Sequence, residues 1–428
     1  MARILTPAQQ RGCSSKIHRS GRAGAENGQP GECQPRSRRL PKIAVTLRSA
    51  GAKQGVDVAL EGESLLVIPG NYPAFTIDGK SVQVFVRGAG KAIISGKVRV
   101  KNLAAAQFVV LSRLEVRGAG GFPSGEPALD VSNVSGHLRV QDSNFKGQTI
   151  TNSTYGGTFF TGAGVRIDAS LNVVFSACSI EGGNSSWNPG EWVIDGGSGL
   201  DSVNSSIALY DCQVHGGDGS WECVPRGGDG GAGYRGSSFG LFAAGTTLSG
   251  GTGGGGDYVG WNPGGKGGNG LLIDAGQAHL LEDTPVAGPG GWPDFPVSGA
   301  IVALNGSVID SMLGTRRKIS LTSVNMDDAS VPITITGQPG DSVFLIQARK
   351  PSFVFKKPLH GTWMVPSPYF SSSQPAGTIG STGTLVIQRT FDIPDGTLAA
   401  RLHWLQAICV DTTGQATLTG PAHVLSLE

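Results

Sequence analysis

Short apolar segments separated by polar links recur along the middle of the chain. Between Gly164 and Ile309, each copy contains a glycine, an apolar segment, a polar link, a second apolar segment and a Gly-Gly pair. The first apolar residues of the copies are Leu129, Val165, Leu200, Leu241, Leu271 and Ile301. Short alternating or apolar runs of this kind are typical of β-strands. A spacing of roughly 30 to 40 residues indicates a repeat architecture.

Strands this short cannot bury an apolar face alone, so each copy is expected to stack in parallel on the previous one. The prediction is an all-β fold: a right-handed parallel β-helix, or solenoid, over residues 43–330, with long Gly-rich loop inserts. The segments IAVTLRS and VDVALEGESLLVI are predicted to be strands that close its N-terminal end.

The repeat pattern and the segment Leu65–Gly90 together resemble the pectin-lyase-like superfamily of β-helices. That superfamily includes polysaccharide lyases, glycoside hydrolases, epimerases, phage tailspikes and adhesins, so the resemblance implies a fold rather than one activity. Residues 331–428 lose the repeat and are predicted to form a small β-sandwich-like domain. Its strand with Leu402, Trp404, Leu405 and Gln406 resembles a C-terminal domain of secreted bacterial proteins. This second resemblance implies a secreted or cell-surface protein, although no signal peptide is visible.

Glycine and charge are unevenly distributed. Glycine makes up 68 of 428 residues and is concentrated in the inserts, which leave each copy at its Gly-Gly pair and should therefore project from one edge. Glycine permits positive φ and close backbone approach, so these inserts are predicted to pack as extended, polyglycine-like chains. Residues 1–42 hold nine Lys or Arg against two Glu and are predicted to be a disordered or extended arm. A solvated tail, a packing arm, a misassigned start codon and contact with nucleic acid are its alternatives, and nucleic acid is not the expected partner.

The cysteines show no metal-binding spacing. Cys178 and Cys212 occupy the same place in consecutive copies and are predicted to be core residues, with a disulfide or a metal site as alternatives. Cys223 is a candidate to staple its own loop. No apolar run is long enough for a transmembrane helix.

Three polar residues form a candidate catalytic set. Glu181 and His215 immediately precede Gly-Gly pairs in consecutive copies, and Asp218 follows the second pair. Stacking would bring a carboxylate beside an imidazole, which is a workable acid and base pair. The alternative is that these are polar turn residues, because Asn, Asp and Ser favour tight bends. The denser acidic clusters of the related lyases and hydrolases are missing.

Aromatic residues in the inserts are the candidate binding set, because exposed rings can stack on sugar faces. They are Trp187, Trp192, Trp221, Tyr234, Tyr258, Trp261 and Trp292. The alternative is that each ring is the small core of its own loop. No metal site and no cofactor are predicted. Calcium binding by Asp229, Asp257 and Asp274 is an alternative that lacks the usual spacing.

These patterns favour a non-enzymatic extracellular structural or adhesive protein. It would contact polysaccharide, or copies of itself in an oligomer or filament, through its Gly- and Trp-rich loops. The alternative is a polysaccharide lyase or glycoside hydrolase that acts on an acidic polysaccharide.

Overall fold

The regular secondary structure described in a computed structural model of the protein is almost all β-strand, and most of the strands lie in long parallel sheets. The structure describes residues 44–47, 52–118, 125–150, 161–185, 193–221, 226–256, 263–292, 298–321, 324–326, 330–364, 374–391 and 400–427. The predicted arm at 1–42, and with it Cys13 and Cys33, lies outside the described residues, as does Cys223.

Three parallel ladders of strands, named A, B and C, make up residues 44–312. Ladder A contains β1 (Ala44–Leu47), β2 (Glu63–Val67), β5 (Val82–Val86), β8 (Phe108–Ser112), β11 (His137–Gln141), β14 (Val173–Ser176) and β23 (Val308–Met312). Ladder B contains β3 (Gly70–Pro73), β6 (Ala92–Ser95), β9 (Leu114–Arg117), β12 (Asn144–Lys146), β15 (Ser179–Glu181), β17 (Gln213–His215), β19 (Thr247–Ser249) and β21 (Thr284–Val286). Ladder C contains β4 (Thr76–Asp78), β7 (Val98–Lys101), β10 (Leu129–Ser132), β13 (Val165–Asp168) and β22 (Ile301–Leu304). Three eleven-residue strands, β16 (Leu200–Tyr210), β18 (Tyr234–Ala244) and β20 (Leu271–Leu281), run through C and then A.

The register of ladder C agrees with the predicted starts of the copies, with one exception. Leu129, Val165, Leu200, Tyr234, Leu271 and Ile301 pair in that order. Leu241 was predicted to begin its copy, but it lies seven residues further on, paired with Ile207 and Ala278 in ladder A. The alignment failed because an aromatic residue, Tyr234, takes the place that aliphatic residues hold in the other copies.

Apolar side chains from all three ladders share one core. Cys178 and Cys212 lie in it as free, buried cysteines, which confirms their prediction as core residues. Burial, together with the neighbouring Cys178, raises the pKa of the Cys212 thiol well above its usual value, so this side chain stays a neutral thiol.

The two ends of the ladders differ. At the first end the predicted strand VDVAL is wrong, because α1 (Ala52–Val58) occupies its beginning. Lys80 Nζ donates to the carbonyls of Val56 and Ala59 at 2.5 and 3.0 Å, as cations commonly do at a helix C-terminus. At the last end, Val286, Ile301, Leu304 and Val308 are each more than two-fifths exposed. Leu271, which pairs with Ile301 in the preceding copy, is fully buried. The partners of Val286, Leu304 and Val308 are Ser249, Asp274 and Gln277, which are half-buried or exposed.

Antiparallel pairing begins after β23. The later elements are β24 (Lys318–Ser320), β25 (Val324–Met326), β26 (Val331–Thr336), β27 (Ser342–Ala348), β28 (Val354–Lys356), the 3₁₀ helix η1 (Lys357–Leu359), β29 (Gly361–Trp363), β30 (Gln374–Thr378), β31 (Thr384–Arg389), β32 (Ala400–Val410), β33 (Ala416–Leu418) and β34 (Ala422–Leu427). They form sheets β24-β26-β31, β25-β34-β32-β27-β30 and β28-β29, with β33 on β32. All these pairs are antiparallel except β25 with β34.

The C-terminal sheets pack on the outer face of ladder A. Leu66, Phe85 and Val110 join a core with Trp404 and Ile346 of the C-terminal strands. Arg139 of β11 is completely buried there, and its guanidinium donates to the carbonyls of Asn172 at 2.7 Å and Ser352 at 2.6 Å. Ladder A is therefore buried on both faces over much of its length, as parallel sheets usually are.

No helix in the described part of the chain is both long enough and apolar enough to cross a bilayer.

Candidate functional site

Glycine-rich segments follow the later strands of ladder B, and their backbones bond to one another in rows. One row runs through Gly162, Gly183, Gly197, Gly217, Gly231, Gly251, Gly268 and Gly288, each N–H donating to the preceding carbonyl at 2.7 to 2.9 Å. A second row runs through Ile194, Ser220, Gly228, Gly254, Gly265 and Gly291 at 2.7 to 3.0 Å. Outgoing and returning segments alternate in both rows, so the rows tie the two limbs of each insert together.

A second set of backbone bonds runs in the direction of the ladder. Gly182 donates to the carbonyl of His215 at 2.9 Å, and Gly216 to that of Ser249 at 2.8 Å. In each Gly-Gly pair, the first amide therefore bonds to the next copy and the second amide bonds to a returning segment. Because bonds leave these segments in two directions, they form a lattice rather than an ordinary sheet. We call these glycine-rich segments, residues 147–150, 161–164, 182–185, 193–199, 216–221, 226–233, 250–256, 263–270 and 287–292, the glycine lattice.

Glycine is needed in the lattice because neighbouring backbones approach too closely for a Cβ, not because the backbone is left-handed. A Cβ on Gly217 would lie 2.0 Å from the carbonyl oxygen of Gly183, and one on Gly251 would lie 2.0 Å from that of Gly217. No described glycine of the lattice has a positive φ, so in the lattice the expected use of positive φ is wrong. The Gly-Gly-X-Gly-Gly spacing repeats every three residues, which is the period of the polyproline II helix. The lattice therefore matches the predicted packing of extended, polyglycine-like chains.

Asx side chains brace the lattice between copies. The Oδ1 of Asn184 accepts the N–H of Asp218 at 3.1 Å, and the Oδ1 of Asp218 accepts the N–H of Thr252 at 2.8 Å. Further out, Asp195 accepts the N–H of Asp229 at 2.8 Å in the same manner. The side chain of Asp218 therefore has a structural partner. Aligned Asx residues at this spacing are the sequence signal that could have shown the brace at Asp195.

Glu181 and His215 are paired neighbours in ladder B, as stacking predicted. Each has a partner on its other side. Glu181 Oε1 lies 2.6 Å from Lys146 Nζ, and the Nδ1 of His215 hydrogen-bonds to the hydroxyl of Ser249. The structure thus brings the predicted acid and base onto one edge, but their described contacts are those of a polar column. Their catalytic role stays a prediction.

We expect Asp218→Asn to change the free energy of unfolding by less than about 0.5 kcal/mol, because the amide oxygen can still accept the N–H of Thr252. Asp218→Ala removes that acceptor and should cost about 1 kcal/mol. Urea unfolding of both variants and the parent measures these differences. Loss of polysaccharide cleavage in a fully stable Asp218→Asn protein would instead support the enzyme alternative.

Two tryptophans of the candidate binding set lie together at the outer end of the lattice. Trp221 is 52% exposed and Trp292 is 64% exposed. The ring of Trp221 packs against Gly255, and Gly256 donates to the carbonyl of Trp292 at 2.9 Å. Rigid backbone thus fixes the positions from which both rings reach solvent.

Tyr234 does not belong to this set. It begins β18, is only 3% exposed, and its hydroxyl hydrogen-bonds to Ser202 at 2.7 Å. Burial raises the pKa of its phenol to about 12. Its assignment to a loop followed from the misaligned copy at Leu241. Trp187, Trp192, Tyr258 and Trp261 lie outside the described residues.

Within the described residues, no group of three or more His, Cys, Asp or Glu side chains is placed to hold a metal ion. Of the calcium candidates, Asp229 accepts the N–H of Lys266 at 2.8 Å and pairs with Arg226, whereas Asp274 accepts from the Asn305 amide. Asp257 lies outside the described residues.

Comparison with protein-family models found no match, and comparison with curated proteins found no relative. The function is therefore argued from geometry alone.

Proposed function

We propose that the three ladders wind as a right-handed parallel β-helix, of the pectin-lyase-like kind, whose glycine lattice holds a row of loops at one edge for adhesion. The protein would act outside the cell or at its surface, and the C-terminal sheets would form a small β-sandwich-like domain. The binding partner would be a polysaccharide or a second copy of the chain. One observation carries the proposal: two rows of backbone hydrogen bonds fix the bases of successive inserts side by side.

A rigid base matters for binding because ordering a mobile loop costs free energy at the moment of contact. The lattice has already ordered the backbone on which Trp221 and Trp292 stand. The exposed part of an indole presents a wide apolar face on which a sugar ring can stack. The residues predicted for catalysis, by contrast, have structural partners in Lys146, Ser249 and Thr252. These observations favour adhesion over cleavage.

A second copy of the chain is the other proposed partner, and the strands at the last end of the ladders favour this self-association. Among the described residues, strands β21 and β22 each pair on one side only, and their apolar residues Val286, Ile301 and Leu304 are exposed. Exposed strand edges of this kind are templates for pairing with another chain.

Affinity electrophoresis of the full chain through gels containing acidic or neutral polysaccharides tests the binding. We expect retardation by at least one polymer, and a loss of affinity of about tenfold in Trp221→Ala and Trp292→Ala, the scale of one stacked ring. Leu313→Ala is the control, because Leu313 is 88% exposed and lies after β23, away from the lattice. A chain that no polymer retards, and that light scattering shows to be a monomer, would refute the proposal.

A further inference from the structure

A groove on the outer face of ladder A lies beside the C-terminal sheets, away from the glycine lattice. It encloses about 480 Å³, within the range of small-molecule sites. Its floor is one column of paired positions: Ser206, Gly240, Gln277 and Val308. A smaller space of about 160 Å³ opens from the same floor and is walled by Phe242, Phe353 and Phe355.

The missing side chain of Gly240 deepens the groove, although neither its backbone conformation nor a close neighbouring atom requires glycine there. It lies inside β18 with an ordinary φ, and the nearest atom to a Cβ placed there is the carbonyl oxygen of Gln277, at 3.9 Å. Gly236 in the same strand is different, because a Cβ there would lie 2.6 Å from the ring of Tyr234. Glycine inside a strand weakens it and often marks the close approach of a ligand. At Gly240 no described protein atom uses the space that the missing side chain leaves.

The polar groups of the groove are neutral and available. The hydroxyl of Ser206 and the amide of Gln277 line it, and neither has a hydrogen-bond partner among the described residues. None of the residues lining the larger space carries a charge, and His279, which lines the smaller one, already has a partner. Its Nδ1 lies 3.0 Å from Oδ2 of Asp310, which in turn lies 2.8 Å from Nζ of Lys357. A charged ligand would therefore find no unpaired counter-charge on this floor, whereas hydroxyl and amide groups would find both donors and acceptors.

The smaller space adds an apolar requirement. Phe355 packs against Phe242 at 5.4 Å and against His279 at 4.3 Å between ring centroids, so the wall is firmly packed. The space next to it suits a methyl group rather than a hydroxyl, since buried polar groups without partners are costly. The ligand should thus carry an amide or hydroxyls over Gln277 and Ser206, with a methyl group towards the phenylalanines.

We propose that this groove binds a neutral N-acetylated sugar, with its acetamido group paired to the amide of Gln277 and its methyl group against the wall that Phe242 and Phe355 form. Ring hydroxyls then reach Ser206 and solvent. The site is separate from the loop edge and does not depend on its function.

Isothermal titration of the full chain with N-acetylglucosamine and its trimer tests the site, with glucose and the glucose trimer as ligands that lack the acetamido group. We expect the acetylated sugars to bind at least tenfold more tightly than the matched glucose compounds. A trimer that binds no more tightly than the monomer places the recognition in one sugar ring. Equal affinity for acetylated and plain sugars, or no binding of either at millimolar concentration, would overturn the proposal.

Gly240→Val fills the floor with a side chain that suits a strand, and we expect it to abolish binding without lowering the melting temperature. Gln277→Leu keeps the volume and removes the amide, and it should weaken binding at least tenfold. Ser237→Val is the matched control, because it adds bulk to β18 at a position outside the groove. Unchanged affinity in folded Gly240→Val would refute the site. Trp221→Ala should bind the sugar normally, so failure here and failure at the loop edge are distinguishable.

Discussion

Gly217→Ala is expected to lower the free energy of unfolding by about 3 kcal/mol or more. Its Cβ would lie 2.0 Å from the carbonyl oxygen of Gly183, a distance that no real contact reaches. Neither backbone can retreat easily, because Gly217 donates to Gly197 at 2.7 Å and accepts from Gly231 at 2.8 Å. Overpacking a side chain commonly costs 1 to 3 kcal/mol, and rigid backbone on both sides puts this case at the upper end or beyond.

Thermal and urea unfolding of the parent and the variant measure the loss. Gly380→Ala is the matched control: its φ is ordinary and no atom lies within 4 Å of the added Cβ. We expect that control to stay within about 0.5 kcal/mol of the parent. A Gly217→Ala protein as stable as Gly380→Ala would mean that the glycine segments do not pack as described.

Acid is expected to weaken the protein through His423. This residue is 1% exposed, its Nδ1 lies 2.8 Å from the Oε1 of Gln141, and the edge of Trp404 packs on it. Burial, reinforced by the charge of Arg139, lowers the pKa of His423 to about 3. The unfolded chain takes up a proton near pH 6.5, whereas the folded chain does not until about pH 3. Stability from this residue is therefore complete above pH 6.5 and falls by about 1.4 kcal/mol per pH unit below it.

The contribution of His423 is obtained by comparing the parent with a variant that lacks this histidine, because other groups titrate in the same pH range. Burial also lowers the pKa of His137 to about 3, which acts in the same direction. Burial raises the pKa of Asp283 to about 7, so that this carboxyl takes up its proton in the folded state and opposes the loss.

Urea unfolding at pH 7.5 and pH 4.5 should show the parent losing about 3 kcal/mol more than His423→Gln between the two pH values. Asp283→Asn is a control of opposite sign, because it removes a gain and should make the loss steeper than in the parent. Equal losses in the parent and in His423→Gln would contradict the buried, neutral state of this histidine.

The ladders were predictable from the sequence because the apolar residues that they bury recur in short runs at a regular spacing. Glycine, a short apolar run and a Gly-Gly pair recur, and parallel pairing requires equivalent residues to stack, as Glu181 and His215 do. The prediction failed where a residue of a different type occupied an equivalent position, or where an alternating segment formed a helix. Tyr234 fills an aliphatic position, and the helix α1 starts in a segment that alternates as strands do. Alternation alone does not report the tertiary packing that decides such cases.

The close packing of the inserts was predictable from glycine content, but its mechanism was not. Sequence shows that glycine is required at Gly217, yet it does not tell whether the reason is a left-handed φ or a neighbouring carbonyl at 2.0 Å. The groove could not be predicted from the sequence. Ser206, Gly240 and Gln277 become neighbours only through the register of three strands, and none of them stands out in its own stretch of chain.

The two limbs of each insert meet in the lattice before the chain continues to its tip. Gly217 and Gly231 bond across the base of one insert, and Gly251 and Gly268 across the next. Tip sequences lie outside these closures, so they can lengthen, shorten or diversify while the closed base keeps its form. The protein thereby separates what must stay constant for folding from what is free to vary, which is the arrangement that antibody domains reach with hypervariable loops on a sandwich.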